Sequence, residues 1–193
     1  MELTTETIKK LRDTTGVSVM QCKKALEEAG GDLAKAEVIL RKRSAEATEK
    51  KADRSLGAGT IGSYVHEGAI GAMVLLACET DFVARNPDFI ALGRDLAMQV
   101  AATDPKYVDS TEIPEEAKAA AVAVFEGEMG NKPEEMRAKI MEGKLTSYFS
   151  DKVLLDQPCI KNETTTVREL LNEATQKFGE RVQVSRFVRF SAR

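Results

Sequence analysis

The chain has 193 residues, 42% hydrophobic and 31% charged, enough apolar content to bury a core in one large or two small domains. Its formal net charge of −3 gives no global attraction to phosphate, so nucleic acid binding would depend on a local basic patch. The three cysteines, Cys22, Cys78 and Cys159, lie far apart without metal-ligand spacing, which argues against a secreted disulfide framework and for a reducing cytoplasm.

The first residues, Met1-Glu2-Leu3-Thr4-Thr5-Glu6, are polar, and no apolar stretch approaches membrane-spanning length, so a cytoplasmic protein without membrane contact is expected. Residues 1–44 read as three short helices. Thr4 or Thr5 caps the first, which turns Ile8 and Leu11 inward and stops at Gly16. Ser18-Val19-Met20-Gln21 has the spacing of a capping box, and Cys22, Ala25, Leu26 and Ala29 line one face of the helix that follows. Gly30-Gly31 ends it; Asp32 caps a third helix with Leu33, Ala36 and Leu40 inward. Residues 45–57 then read as a basic linker helix, with Lys50, Lys51 and Arg54 continuing a run begun by Arg41, Lys42 and Arg43.

Residues 58–193 read as an α+β core. Two strands, 60–66 and 70–78, are joined at Glu67-Gly68 as a hairpin. The apolar run from Ala69 to Cys78 is expected to be covered on both faces or nearly so. Asn86-Pro87 opens a helix carrying Phe89, Leu92 and Leu96; Ile113-Pro114-Glu115-Glu116 and Lys132-Pro133-Glu134-Glu135 open two more, with carboxylates at the positive dipole end. A last helix, 167–178, stops at Gly179, and 182–190 forms a closing strand. The fold class expected is therefore α+β: a three-helix module, a linker, then an antiparallel sheet with packed helices.

Several motifs have plain readings. Gly57-Ala58-Gly59-Thr60-Ile61-Gly62 spells G-x-G-x-x-G, but a basic helix precedes it and a strand follows, the reverse of a dinucleotide site, so it reads as a flexible joint. His66 is the only histidine and has no partners for a metal or a nucleophile, so no catalytic residue and no cofactor is expected. Cys78 reads as a buried thiol, and Met20, Met73, Met98 and Met136 as core filling. The basic run lacks interleaved aromatic side chains, which weighs against direct nucleic acid binding.

The tetrapeptide Thr80-Asp81-Phe82-Val83 follows the apolar run where a buried strand should stop. On local physics Thr80 caps a short turn, Asp81 sits at its positive end and Phe82 packs inward. A second reading is open: an acid and an aromatic side by side at a tip can enter a partner.

Resemblance favours the second. Leu11-Arg12, Thr15-Gly16-Val17 and Cys22-Lys23-Lys24-Ala25-Leu26-Glu27 resemble the amino-terminal signature of the elongation factor Ts family, and the stretch from Cys78 through Thr80-Asp81-Phe82-Val83 to Asn86 closely resembles its most characteristic motif. Leu154-Leu155-Asp156-Gln157-Pro158 and Arg186-Phe187-Val188-Arg189-Phe190 resemble its carboxy-terminal module, so the similarity runs in order along almost the whole chain.

The resemblance implies a non-catalytic guanine nucleotide exchange factor for elongation factor Tu. It implies that residues 1–44 form a ubiquitin-associated-like domain docking on the GTPase domain, with Lys23 and Lys51 as contacts. It further implies that Thr80, Asp81, Phe82 and Val83 reach the Mg²⁺ region of the partner. The length matches the short bacterial form, implying a homodimer, which an exposed closing strand would suit. A competing expectation is an adaptor that binds a polypeptide through its helical module; it leaves the tip unexplained.

Overall fold

The computed structural model describes residues 4–128 and 134–192. The first three helices are α1 (Thr5–Thr15), α2 (Val19–Glu28) and α3 (Leu33–Glu49). Thr4, Ser18 and Asp32 cap them, accepting from the amides of Thr7, Gln21 and Lys35. Leu11, Cys22, Ala25, Leu26, Ala36 and Leu40, on the faces that the helical period assigns them, close into one buried cluster with Val17 of the α1–α2 connection.

Two local expectations change. Ser18 Oγ accepts from the Gln21 amide at 3.4 Å, but Gln21 Oε1 does not return to the cap; it accepts from Gln176 Nε2 at 3.4 Å. The third helix continues past Ser44, which is buried and donates its hydroxyl to the Leu40 carbonyl at 3.0 Å. Residues 50–57 leave the helix, through turns and then irregular chain, so the basic run is partly the last turns of α3 and no separate linker helix forms.

The main sheet is antiparallel in the order β1 (Ala58–His66), β2 (Ile70–Cys78), β5 (Gln183–Ser191). Glu67 and Gly68, with φ of 49° and 70°, make the tight β1–β2 turn, closed by the Ala69 amide on the His66 carbonyl at 2.9 Å. The glycines at 59 and 62 are strand residues of β1 rather than a joint. Their role is close approach: a Cβ on Gly59 would lie 2.5 Å from the Leu76 carbonyl, and one on Gly62 would overlap the backbone at Gly93 of α5 (Pro87–Thr103).

One face of the sheet carries the core. Ala72, Val74, Leu76 and Cys78 of β2 pack with Phe89, Leu96, Ala97 and Val100 of α5. Val167, Leu171 and Ala174 of α8 (Val167–Phe178) join the same cluster, and the Phe89 and Phe178 rings meet edge to face at 5.5 Å. Among the described residues no helix covers the other face. Met73 is 46% exposed, and Ile61, Val65, Val188 and Phe190 are exposed with it. The apolar run of β2 is thus buried on one face and open on the other, and Met20, Met73 and Met136 are exposed rather than core filling.

α8 also carries the three-helix module. α3 packs on it, Arg41 Nη2 donates to Thr165 at 3.5 Å, and Gly16 leaves room for the Lys177 side chain. A smaller cluster of Ile113, Ala121, Phe149 and Val153 lies between α6 (Glu115–Glu128) and α7 (Glu134–Ser150). Lys132 and Pro133, expected to open α7, lie outside the described residues. A short hairpin of β3 (Pro158–Cys159) and β4 (Asn162–Thr166), which the sequence pattern does not predict, precedes α8.

Candidate functional site

β2 ends in the core at Cys78, and the chain turns outward before α5 begins. Thr80, extended at φ −125° and ψ 156°, caps the four-residue helix α4 (Asp81–Ala84), its hydroxyl accepting from the Val83 amide at 3.5 Å. Neighbouring helical residues point about 100° apart, so they cannot both face the core. Val83 takes the inward position and is 5% exposed, while Phe82 points outward and is 82% exposed. The inward packing of Phe82 suggested by local physics is therefore not what forms.

Asp81 reaches Arg85 at 3.1 Å, with both side chains largely in water. Such an exposed pair contributes at most about 1 kcal/mol, so the carboxylate can exchange this partner readily. The tip thus presents a ring and a carboxylate side by side with little holding either in place. Its backbone, in contrast, is held firmly.

Glu180, in the turn after α8, supplies one carboxylate oxygen to the amides of Glu79 at 3.1 Å and Thr80 at 3.0 Å. Its other oxygen accepts the Thr80 hydroxyl at 2.6 Å. In return, Glu79 Oε1 accepts the Arg181 amide at 2.6 Å and Arg54 Nη1 at 3.2 Å, and Arg181 Nη1 donates to the Arg54 carbonyl at 2.7 Å. The Arg181 amide, with Arg54 and Lys51 adding to it, holds the Glu79 carboxyl below its ordinary range. The Cys78 thiol donates to the Thr80 carbonyl at 3.2 Å; burial, then the nearby Glu180 charge, pushes that thiol up. The clasp itself is not visible locally, since Glu180 lies 100 residues from Thr80 and Arg181 lies 102 from Glu79.

Of the residues singled out in the sequence, the structure gathers Thr80, Asp81, Phe82 and Val83 on one turn and sets Lys51 near its base, where its charge acts on Glu79. Lys23 lies elsewhere, on α2, its ammonium 3.8 Å from Glu27. Val19 and Met20 are exposed beside it at helical spacing, forming a small apolar patch edged by Lys23. Among the described residues no helix is long and apolar enough to cross a membrane.

A family model described as Elongation factor TS matches residues 5–193. An elongation factor Ts of Thermodesulfovibrio yellowstonii is 46% identical over 191 residues, covering 98% of this chain and 96% of the relative. One from Thermotoga petrophila is 46% identical with the same coverage, and one from Coprothermobacter proteolyticus is 42% identical over 194 residues, covering 99% and 98%. With a match along nearly its whole length, carrying the exposed tip on its clasped turn, the chain belongs to the elongation factor Ts family.

Proposed function

We propose that this chain is a guanine nucleotide exchange factor: it binds elongation factor Tu carrying GDP, disturbs the Mg²⁺ site and promotes GDP release, so that GTP can bind during translation elongation. The observation that carries the reading is Phe82, 82% exposed beside Asp81 on a turn whose backbone is fixed. The factor performs no bond chemistry in this scheme. Its work is linkage: contacts available only when nucleotide is displaced weaken nucleotide binding, and nucleotide weakens the factor by the same ratio. A thousandfold loss of nucleotide affinity requires about 4 kcal/mol of differential contact. Burying the Phe82 ring in a pocket open only in the displaced state contributes about 1.5–3 kcal/mol of that. Asp81 adds a negative charge at the metal site, while Lys23, with Val19 and Met20 beside it, and Lys51 dock the module on the GTPase domain.

Stopped-flow release of fluorescent GDP from elongation factor Tu, with excess unlabelled nucleotide, tests this reading. Strong acceleration by the protein, reduced by Phe82→Ala or Asp81→Ala, is expected. No acceleration by folded protein would sink it and leave the adaptor reading, in which Lys23 and its neighbours matter and the tip does not.

We further infer a homodimer, packed through the open face of the sheet rather than only along an edge. Val65, Gly71 and Phe190 form one row across the three strands, and Ser63, Met73 and Val188 the next, so exposed apolar side chains lie side by side. A second copy of the same face would cover these side chains. Met73→Glu should convert the dimer to monomer in sedimentation equilibrium; a dimer of unchanged stability would rule this surface out.

A further inference from the structure

We infer that Glu180 is the positioning residue of the tip: its carboxylate fixes the turn that presents Asp81 and Phe82, and so sets the maximal rate of nucleotide release rather than the affinity for the partner. The inference rests on the exchange reading above. β1–β2 pairing ends at Cys78, so the amides of Glu79 and Thr80 have no strand partner. Glu180 takes both with one oxygen and holds the Thr80 hydroxyl with the other. That same hydroxyl caps α4 through the Val83 amide, giving a chain from Glu180 through Thr80 to Val83.

The geometry is reciprocal. Glu180 receives the amides of 79 and 80, and Glu79 receives the amide of 181, so two loops a hundred residues apart exchange carboxylates for amides. Gly179 makes the approach possible, turning out of α8 at φ 73°. A helix of four residues does not hold its own shape in water, because nucleation costs more than one turn of hydrogen bonds returns. α4 therefore depends on its cap, and the cap depends on Glu180. Without it the tip would have to be ordered on binding, at the expense of the differential contact that drives release.

α8 also bears the three-helix module on its α3 flank, and Arg54 ties the segment after α3 to Glu79. The clasp therefore sits where the docking module and the tip share a support. Loss of Glu180 should leave docking intact and disorder only what is presented.

The test is GDP release from elongation factor Tu as a function of factor concentration, with amide hydrogen exchange of the free factor alongside. Glu180→Ala is expected to lower the maximal rate about tenfold while the half-saturating concentration stays within about twofold. Glu180→Gln, which keeps an oxygen for the two amides, should recover most of that loss. In the free Glu180→Ala protein, exchange at the amides of Glu79, Thr80 and Val83 should speed up while the sheet remains protected. Unchanged exchange at those amides, or a maximal rate equal to wild type, would overturn the inference. A fall in rate matched by an equal loss of apparent affinity and of melting temperature would also overturn it, as a merely structural effect. Failure of the wild-type protein to accelerate release would overturn the exchange reading instead, while the amide measurement would still decide whether Glu180 fixes the turn.

Discussion

Gly62 of β1 meets Gly93 of α5 backbone to backbone: a Cβ on Gly62 would overlap the Gly93 carbonyl and approach the Arg94 nitrogen to 2.7 Å. Rigid backbone on both sides leaves nothing to yield. Gly62→Ala should therefore force α5 away from the sheet and cost about 1–3 kcal/mol in urea unfolding. Gly143, inside α7 with open space around its Cβ position, is the control. Gly143→Ala should stabilise by about 0.5–1 kcal/mol through helix propensity. Equal small effects at both sites would show that the helix–strand contact is looser than described.

The tip sets an exposed and a buried side chain at two adjacent positions. Phe82 is exposed and Val83 buried, so Phe82→Ala should change unfolding free energy by less than about 0.5 kcal/mol, whereas Val83→Ala should cost about 1–3 kcal/mol. Chemical denaturation of the two variants checks this. A large loss with Phe82→Ala would mean that the ring packs on its own protein in solution and is not free to enter a partner.

How much of this was legible in the sequence follows from the range of each interaction. Periodicity and caps place α1, α2 and α5, because Thr4, Ser18 and Asn86 act on amides two or three residues away, and Gly179 marks the end of α8. The sheet was harder. An unbroken run from Ala69 to Cys78 suggests two covered faces, but it serves equally a strand whose second face, at Met73, is left open by its own helices. Gln21 had the right spacing to return to its helix cap and instead meets Gln176, 155 residues away. Glu180 is silent in the sequence for the same reason: nothing beside Gly179 signals that its partners are Glu79 and Thr80. The tip tetrapeptide was identified by resemblance, whereas local physics alone turned Phe82 the wrong way.

All three thiols should be unreactive in the folded protein. Cys22, Cys78 and Cys159 are buried and free, and burial pushes each thiol up, Cys159 to about 11 with Glu173 and Glu169 adding to the effect. At pH near 8 a group with that value is thiolate in only about one molecule in a thousand. Titration with Ellman's reagent should show no rapid phase without denaturant and reaction of all three cysteines in guanidinium. A fast native thiol would locate a local opening, with Cys78 as the informative case because it also holds the Thr80 carbonyl.

Glu173, on α8 where the module meets the core, should make stability depend on pH. Burial raises its pKa; Arg41 of α3 opposes the rise, while Glu169 of its own helix and Glu37 of α3 reinforce it. A carboxyl with a raised folded pKa binds protons more readily when folded than unfolded. Its contribution is therefore favourable while it is protonated and is lost as pH rises through the ordinary carboxylate range towards neutrality. Glu173→Gln mimics the protonated form. It should stabilise the protein near neutral pH by less than about 1 kcal/mol, the gain being limited by partial solvent access, and the difference should vanish below about pH 4. Melting curves of both proteins across that interval provide the measurement. A variant less stable than wild type at neutral pH would show instead that Arg41 holds the charged carboxylate and that the ion pair, rather than the burial penalty, governs the contact between module and core.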